Sequence, residues 1–178
     1  MNLYIRLILL FFKIKRNRQQ QHLLDTVDID FRALPSDCDI NFHLTNSRYL
    51  AVMDLARTWM IERVGLLEQI MKRRWFPIVN ATAITYIRDI KPMQRYTVST
   101  KLVGWDHKYF YIEQRFHSAR GLHAIAYIRG VFKTKTGVVS IEEMLEVAKF
   151  KDKMPILPSE VMCWKEMLEL KKHNNLPK

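Results

Sequence analysis

The polar and apolar positions of this chain change period along its length, and each change predicts an element. In "VDIDFRA", residues 27–33, Val27, Ile29, Phe31 and Ala33 alternate with Asp28, Asp30 and Arg32, which predicts a strand with one buried face. Pro35 ends it, and a polar stretch follows over residues 36–46. From about Ser47 to Val64 the apolar residues Tyr49, Met53, Ala56, Met60 and Val64 recur at helical spacing. Leu50, Val52, Leu55, Trp59 and Ile61 widen that face around most of the circumference, which predicts a buried helix. Asn46 is its expected N-cap, and Gly65 stands where the residue after the C-cap belongs.

A short helix, "LLEQIMKRR", is expected next, and from Trp75 the period becomes two. Residues 75–90, 95–105, 108–119 and 122–134 read as four strands. The separators "IKPMQ", "WDHK" and "ARG" are short, so the connections are antiparallel hairpins. Helices are expected near 140–149 and 159–172, with Pro155 and Pro158 at the joint. The predicted class is α+β: one antiparallel sheet wraps one long central helix, because the sheet has a single apolar face and the helix needs cover.

Composition bounds this picture. A chain of 178 residues suggests one domain with a sizeable core. We divide it into a basic and apolar N-terminal helix (1–21), a central domain (22–150) and a C-terminal helical extension (151–178). The net charge is +11, but residues 1–21 hold five basic groups (Arg6, Lys13, Lys15, Arg16, Arg18) and no acid. That concentration argues against a broad nucleic-acid footprint on the domain. The apolar run Leu7–Phe12 is too short to span a bilayer, and no small-residue cleavage site follows it. Two readings stay open for residues 1–18: an interfacial helix on an anionic membrane, or a helix packed on the body of the protein or on a second subunit. Cys38 and Cys163 form no C-x-x-C motif, so free thiols in a reducing, cytoplasmic compartment are expected.

The chemistry concentrates in "LPSDCDINFHLTNSRYLAVMDLAR", where Asp37, Cys38, Asp39, Asn41, His43 and Asn46 fall within ten residues just before the buried helix. Three explanations compete. The stretch can be a polar loop whose Asn and Asp residues cap turns. It can bind a metal, although no second ligand spacing completes such a site. It can be a catalytic constellation at a helix N-terminus, where free N–H groups and the helix dipole favour developing negative charge. Cys38 lies between two carboxylates, which raise a thiol pKa and argue against a nucleophilic role. Asp37 is expected to act as a turn or cap residue.

The segment resembles hotdog-fold acyl-CoA thioesterases of the 4-hydroxybenzoyl-CoA thioesterase-like superfamily. Bacterial members carry D-C-D, a short loop, a Tyr and the long helix, which places the catalytic Asp on Asp39. Plant acyl-carrier-protein thioesterases carry D-x-N-x-H-x-N-N-x-x-Y, matched here by Asp39, Asn41, His43, Asn46 and Tyr49, with Thr45 replacing the first Asn of the pair. The likeness is closest to thioesterase superfamily member 6 proteins and their bacterial relatives, through "LPSDCDINFHLTNSRYL" and "LVGWDHKYFYIEQRF", and covers about residues 24–135.

The resemblance implies a hotdog fold and hydrolysis of an acyl-CoA or acyl-carrier-protein thioester, without a cofactor or a metal. Asp39 would act as general base or nucleophile, with Asn41 and His43 beside it. The oxyanion and substrate would meet Thr45, Asn46, Ser47 and Tyr49 at the helix start. A further carboxylate of the plant enzymes falls on Asp89 in "YIRDI", about a dozen residues later than in their pattern; the bland alternative is a strand-end residue paired with Arg88 or Lys91. The resemblance also implies a homodimer, or a tetramer of dimers, with active sites at the subunit interface. Two other functions remain in view: a hotdog dehydratase or hydratase, and a non-catalytic acyl-binding or membrane-associated scaffold. "GWDHKYFYIEQRF" reads as a tight hairpin with aromatic packing rather than as a nucleic-acid platform.

Overall fold

Val27 and Ile29 turn inward while Asp28 and Asp30 face solvent, as the alternation requires. They belong to β1 (Val27–Arg32) of a five-stranded sheet. The computed structural model describes residues 3–16 and 20–175. In chain order its elements are α1 (Leu3–Arg16), β1, α2 (Asn46–Arg63), α3 (Leu67–Arg73), β2 (Phe76–Tyr86), β3 (Arg95–Trp105), β4 (Phe110–Ser118), β5 (Gly121–Lys133), α4 (Ile141–Val147) and α5 (Ser159–Asn175). The strand order is β1-β3-β4-β5-β2, and every pair is antiparallel. β1 and β2 are therefore the edges. Residues 1–2, 17–19 and 176–178 of the two expected terminal segments lie outside the described residues.

Helix α2 lies along one face of the sheet. Tyr49, Met53, Ala56 and Met60 bury themselves against Ile29, Val98, Ile112, Phe116 and Ile128 in one continuous core. Trp59 also fits there, because its indole N–H reaches the carbonyl of Asp28 at 3.0 Å. Gly65, at φ +75°, lets the chain leave the helix in a left-handed conformation. The opposite face of the sheet is covered by α5, whose Val161 and Trp164 pack on Val103 and Tyr111.

Three details depart from the sequence reading. The N-cap of α2 is Thr45, one residue before the expected Asn46. The Thr45 N–H is held by the carbonyl of Asp37 at 3.0 Å, which fixes Thr45 in an extended conformation and starts the helix at the next residue. The strand expected over 75–90 ends at Tyr86, and residues 87–94 instead form a strap across the sheet end. Two amides of that strap, Ile87 and Arg88, donate to the carbonyl of His123, and Leu44 donates to Ile90. Finally, the apolar side chains Phe76, Ile78 and Val79 of β2 are exposed, whereas Val27 and Ile29 of the other edge strand are buried.

Helix α1 packs on the body of the protein through Arg6, Leu10 and Ile14, all buried. Its other face leaves Tyr4, Ile5, Ile8, Leu9, Phe11 and Phe12 exposed. Among the described residues, no helix is long and apolar enough to cross a membrane.

Candidate active site

The polar stretch is built around Asp37. Pro35–Asp37 forms a single 3-10 turn, and Asp37 is fully buried at its end. Its Oδ2 accepts from the Leu34 N–H at 2.9 Å and pairs with Arg6 of α1. Its Oδ1 faces Arg48 Nε, on the first turn of α2, at 3.3 Å. Asp37 does close a turn, as the sequence suggests, but it also joins α1, the loop and the start of α2. A buried carboxylate needs such partners, since leaving it unpaired costs several kcal/mol.

Beyond Asp37 the loop doubles back. The Asp39 N–H donates to the His43 carbonyl at 2.9 Å, and the Phe42 N–H donates to the Asp39 carbonyl at 3.0 Å. Asp39 Oδ1 accepts from the main-chain N–H of Asn41 at 2.9 Å and of His43 at 3.2 Å. The carboxylate thus shapes its own loop and holds Phe42 at φ +56°, a strained angle for that residue. Asp39, Asn41 and His43 are all exposed. Cys38 donates its thiol to the Leu34 carbonyl at 3.5 Å. Burial, and then Asp37 and Asp39, push that thiol above its ordinary value, as expected.

The His43 side chain faces Asp89: Nε2 lies 3.7 Å from Asp89 Oδ2. Arg120, from the β4–β5 turn, approaches the other oxygen at 3.6 Å. Burial pushes the Asp89 carboxyl up, but Arg120, His43 and Lys91 pull the other way and leave it below the usual carboxylate value. The strap that carries Asp89 rests on His123, which is fully buried. The imidazole contacts the Asp89 carbonyl through Nδ1 at 2.9 Å and Ser118 Oγ through Nε2 at 2.7 Å.

Of the donors expected at the helix start, Thr45 is committed to Asp37, which removes its N–H from the candidate oxyanion site. Asn46 and Ser47 are the first two residues of α2, where no carbonyl four residues back is helical. The Thr45 side chain makes no cap bond; its Oγ1 pairs with Ser47 Oγ at 3.1 Å. Tyr49 is buried against Tyr86 and Phe116, so its ring supports the helix start from below. Burial, then Tyr86 and Asp89, push its phenol up to about 12.

A cavity of about 280 Å³ lies between the C-terminal half of α2 and the sheet. Its wall is apolar apart from Asp54, Arg57 and Thr58, and it reaches Pro77, Ile78 and Val79 at the start of β2. Arg57 donates to Gln114 Oε1 at 3.0 Å and pairs with Asp54. The sequence reading missed this set and also missed Arg6, Arg48, Arg120 and His123. An Asp and an Arg three residues apart on a helix otherwise read as core was the available sign.

A sheet laid on one long central helix, with the polar loop at the N-terminus of that helix, is the hotdog fold. A model of the thioesterase-like superfamily matches residues 33–162, and the chain belongs to that superfamily. It is 29% identical over 172 residues to Protein THEM6 of Drosophila melanogaster, covering 95% of this chain and 87% of that one. It is 32% identical over 136 residues to Protein THEM6 of Danio rerio, covering 75% of this chain and 65% of that one. A 4-hydroxybenzoyl-CoA thioesterase variant complexed with 4-hydroxybenzoyl-CoA superposes with a TM-score of 0.62, over 69% of this chain and 98% of its own; at 15% identity the likeness is one of fold.

Proposed function

We propose that this protein hydrolyses acyl thioesters, carried by CoA or by an acyl carrier protein, with Asp39 as the catalytic carboxylate. One observation carries the reading: an exposed carboxylate held by its own loop stands just before a helix whose first amides, Asn46 and Ser47, are free of helical partners. Asp39 takes a proton from water, and the resulting hydroxide attacks the thioester carbon. Alternatively, Asp39 attacks that carbon itself, and water then cleaves the anhydride. In either route the carbonyl oxygen becomes an oxyanion, which the Asn46 and Ser47 amides and the helix dipole stabilise. The intermediate collapses, the C–S bond breaks, and the thiolate leaves. Asn41 orients the attacking group, while His43, paired with Asp89, supplies a second proton-transfer group.

The working unit is a homodimer. Two copies joined along β2 about a two-fold axis run antiparallel, so the start of one β2 lies beside the end of the other. The start lines the cavity, and the end leads to Asp89. Each cavity then opens next to the reactive groups of the other copy. The exposed Ile78, Val79 and Tyr86 of the edge, and Ile40 and Phe42 at the loop tip (92% and 73% exposed), support such a cover. The outer sheet face that would join two dimers back to back carries α5 instead. The exposed face of α1, in a segment with five basic residues and no acid, suits a peripheral site on an anionic, cytoplasmic membrane face.

A thiol-release assay with acyl-CoA esters of graded length tests the function. Turnover that rises with apolar chain length up to a limit is expected. Binding without release of any thiol would favour a non-catalytic scaffold.

A further inference from the structure

Among the described residues, a buried polar side chain interrupts the apolar core beneath α2. Gln114 is fully buried on β4, facing the helix, and its side-chain amide is satisfied on both sides. Nε2 donates to the Met53 carbonyl at 3.2 Å and to Thr100 Oγ1 at 3.0 Å, and Oε1 accepts from Arg57. The Arg57 side chain is 14% exposed, and burial pushes its guanidinium below the usual value. A guanidinium has five N–H groups. Gln114 and Asp54 take one each, and among the described residues nothing takes the rest. Arg57 lines the 280 Å³ cavity, and its Nε keeps contact with solvent. A purely hydrocarbon occupant that expels water from these donors leaves them unpaired, which costs free energy.

We propose that Arg57 is a specificity-determining residue of the acyl cavity, and that the preferred substrate is a thioester whose aliphatic acyl chain carries a hydroxyl group. The proposal rests on the thioesterase reading for what enters the cavity. A hydroxyl fits both partners, because it accepts from Arg57 and donates to Asp54. A second carboxylate fits less well, since Asp54 already balances the guanidinium and would repel it. The chain around the hydroxyl is aliphatic. Along α2 the lining runs from Asp54 to Val64, about 15 Å at 1.5 Å per residue, and faces Leu102, Ile112 and Ile128.

The test compares kcat/KM for a positional series of hydroxyacyl-CoA esters of one chain length with that for the unsubstituted ester. At least one hydroxylated position exceeds the unsubstituted ester by about tenfold or more in the wild type. The preference collapses to about onefold in the double variant Arg57→Met, Gln114→Leu, which removes donor and acceptor of that bond together; Thr100 Oγ1 loses the Gln114 amide in the same change, so folding is checked by thermal melting. Should that variant not fold, Arg57→Lys, which keeps the charge without the planar fork, gives a reduced preference. A second arm does not depend on turnover: calorimetric titration of Asp39→Ala protein with the free hydroxy acid and with the plain acid. Tighter binding of the hydroxy acid supports the cavity assignment, even if the wild type releases no thiol and the hydrolase reading falls. Hydrolysis of every ester with equal efficiency, together with equal binding of the two acids, overturns the Arg57 assignment and leaves the hydrolase reading intact.

Discussion

Asp37 has no exposed surface, yet the loop around the candidate catalytic carboxylate depends on it. Arg6 lies thirty-one residues upstream of Asp37 on another helix, and its guanidinium is a buried partner of the Asp37 carboxylate. Removing one member of a buried pair leaves the other charged and unsolvated. Arg6→Ala should therefore lower unfolding free energy by about 3–5 kcal/mol. Urea denaturation reads this directly, and a loss under ~1 kcal/mol would mean that Asp37 relies on Arg48 alone. His43 and Asp89 raise a different question at the same scale. If they act as one unit, the double variant His43→Ala, Asp89→Asn should lose no more kcat than the worse single variant. Losses that multiply would show two independent roles.

At the scale of elements, β2 and α1 each present an apolar surface that none of the described residues covers. Thr82 lies near the middle of β2 and is exposed, so the proposed two-fold axis brings it close to its own copy. Thr82→Lys places like charges together there, which edge strands use to prevent pairing. Sedimentation should show the mass shift from dimer to monomer, with thioesterase activity falling in parallel; a fully active monomer would remove the dimer from the account. On α1, Ile8→Ser with Phe12→Ser changes the outer face and spares Arg6, Leu10 and Ile14. That protein should keep its thermal stability and lose at least about tenfold in co-pelleting with anionic vesicles. Equal pelleting would assign the apolar face to something other than a lipid surface.

For the whole molecule, what could be read from sequence followed the reach of the underlying interactions. Strand alternation is local, so Val27 to Ala33 disclosed β1, and the short polar separators disclosed the hairpins. The buried helix was legible because its apolar residues exceed what one solvated face can hold. Its first residue was not, because the N-terminus is set by the carbonyl of Asp37 rather than by the capping preference of Asn46. Asp39, His43 and Asn46 stood out in a single run. The Arg6–Asp37 and Arg57–Gln114 contacts did not, since each joins residues that only the fold brings together. The position of α5 was hidden for the same reason: Val161 and Trp164 mark an apolar face, but not which surface it covers.

The central claim is that Asp39 performs the chemistry. The direct measurement is kcat for release of CoA from the best acyl-CoA ester, wild type against Asp39→Ala, with folding of both confirmed by matching thermal transitions. Loss of general-base catalysis predicts a fall in kcat of about 10²–10⁴ with little change in KM. Wild-type turnover in the Asp39→Ala protein would contradict the account.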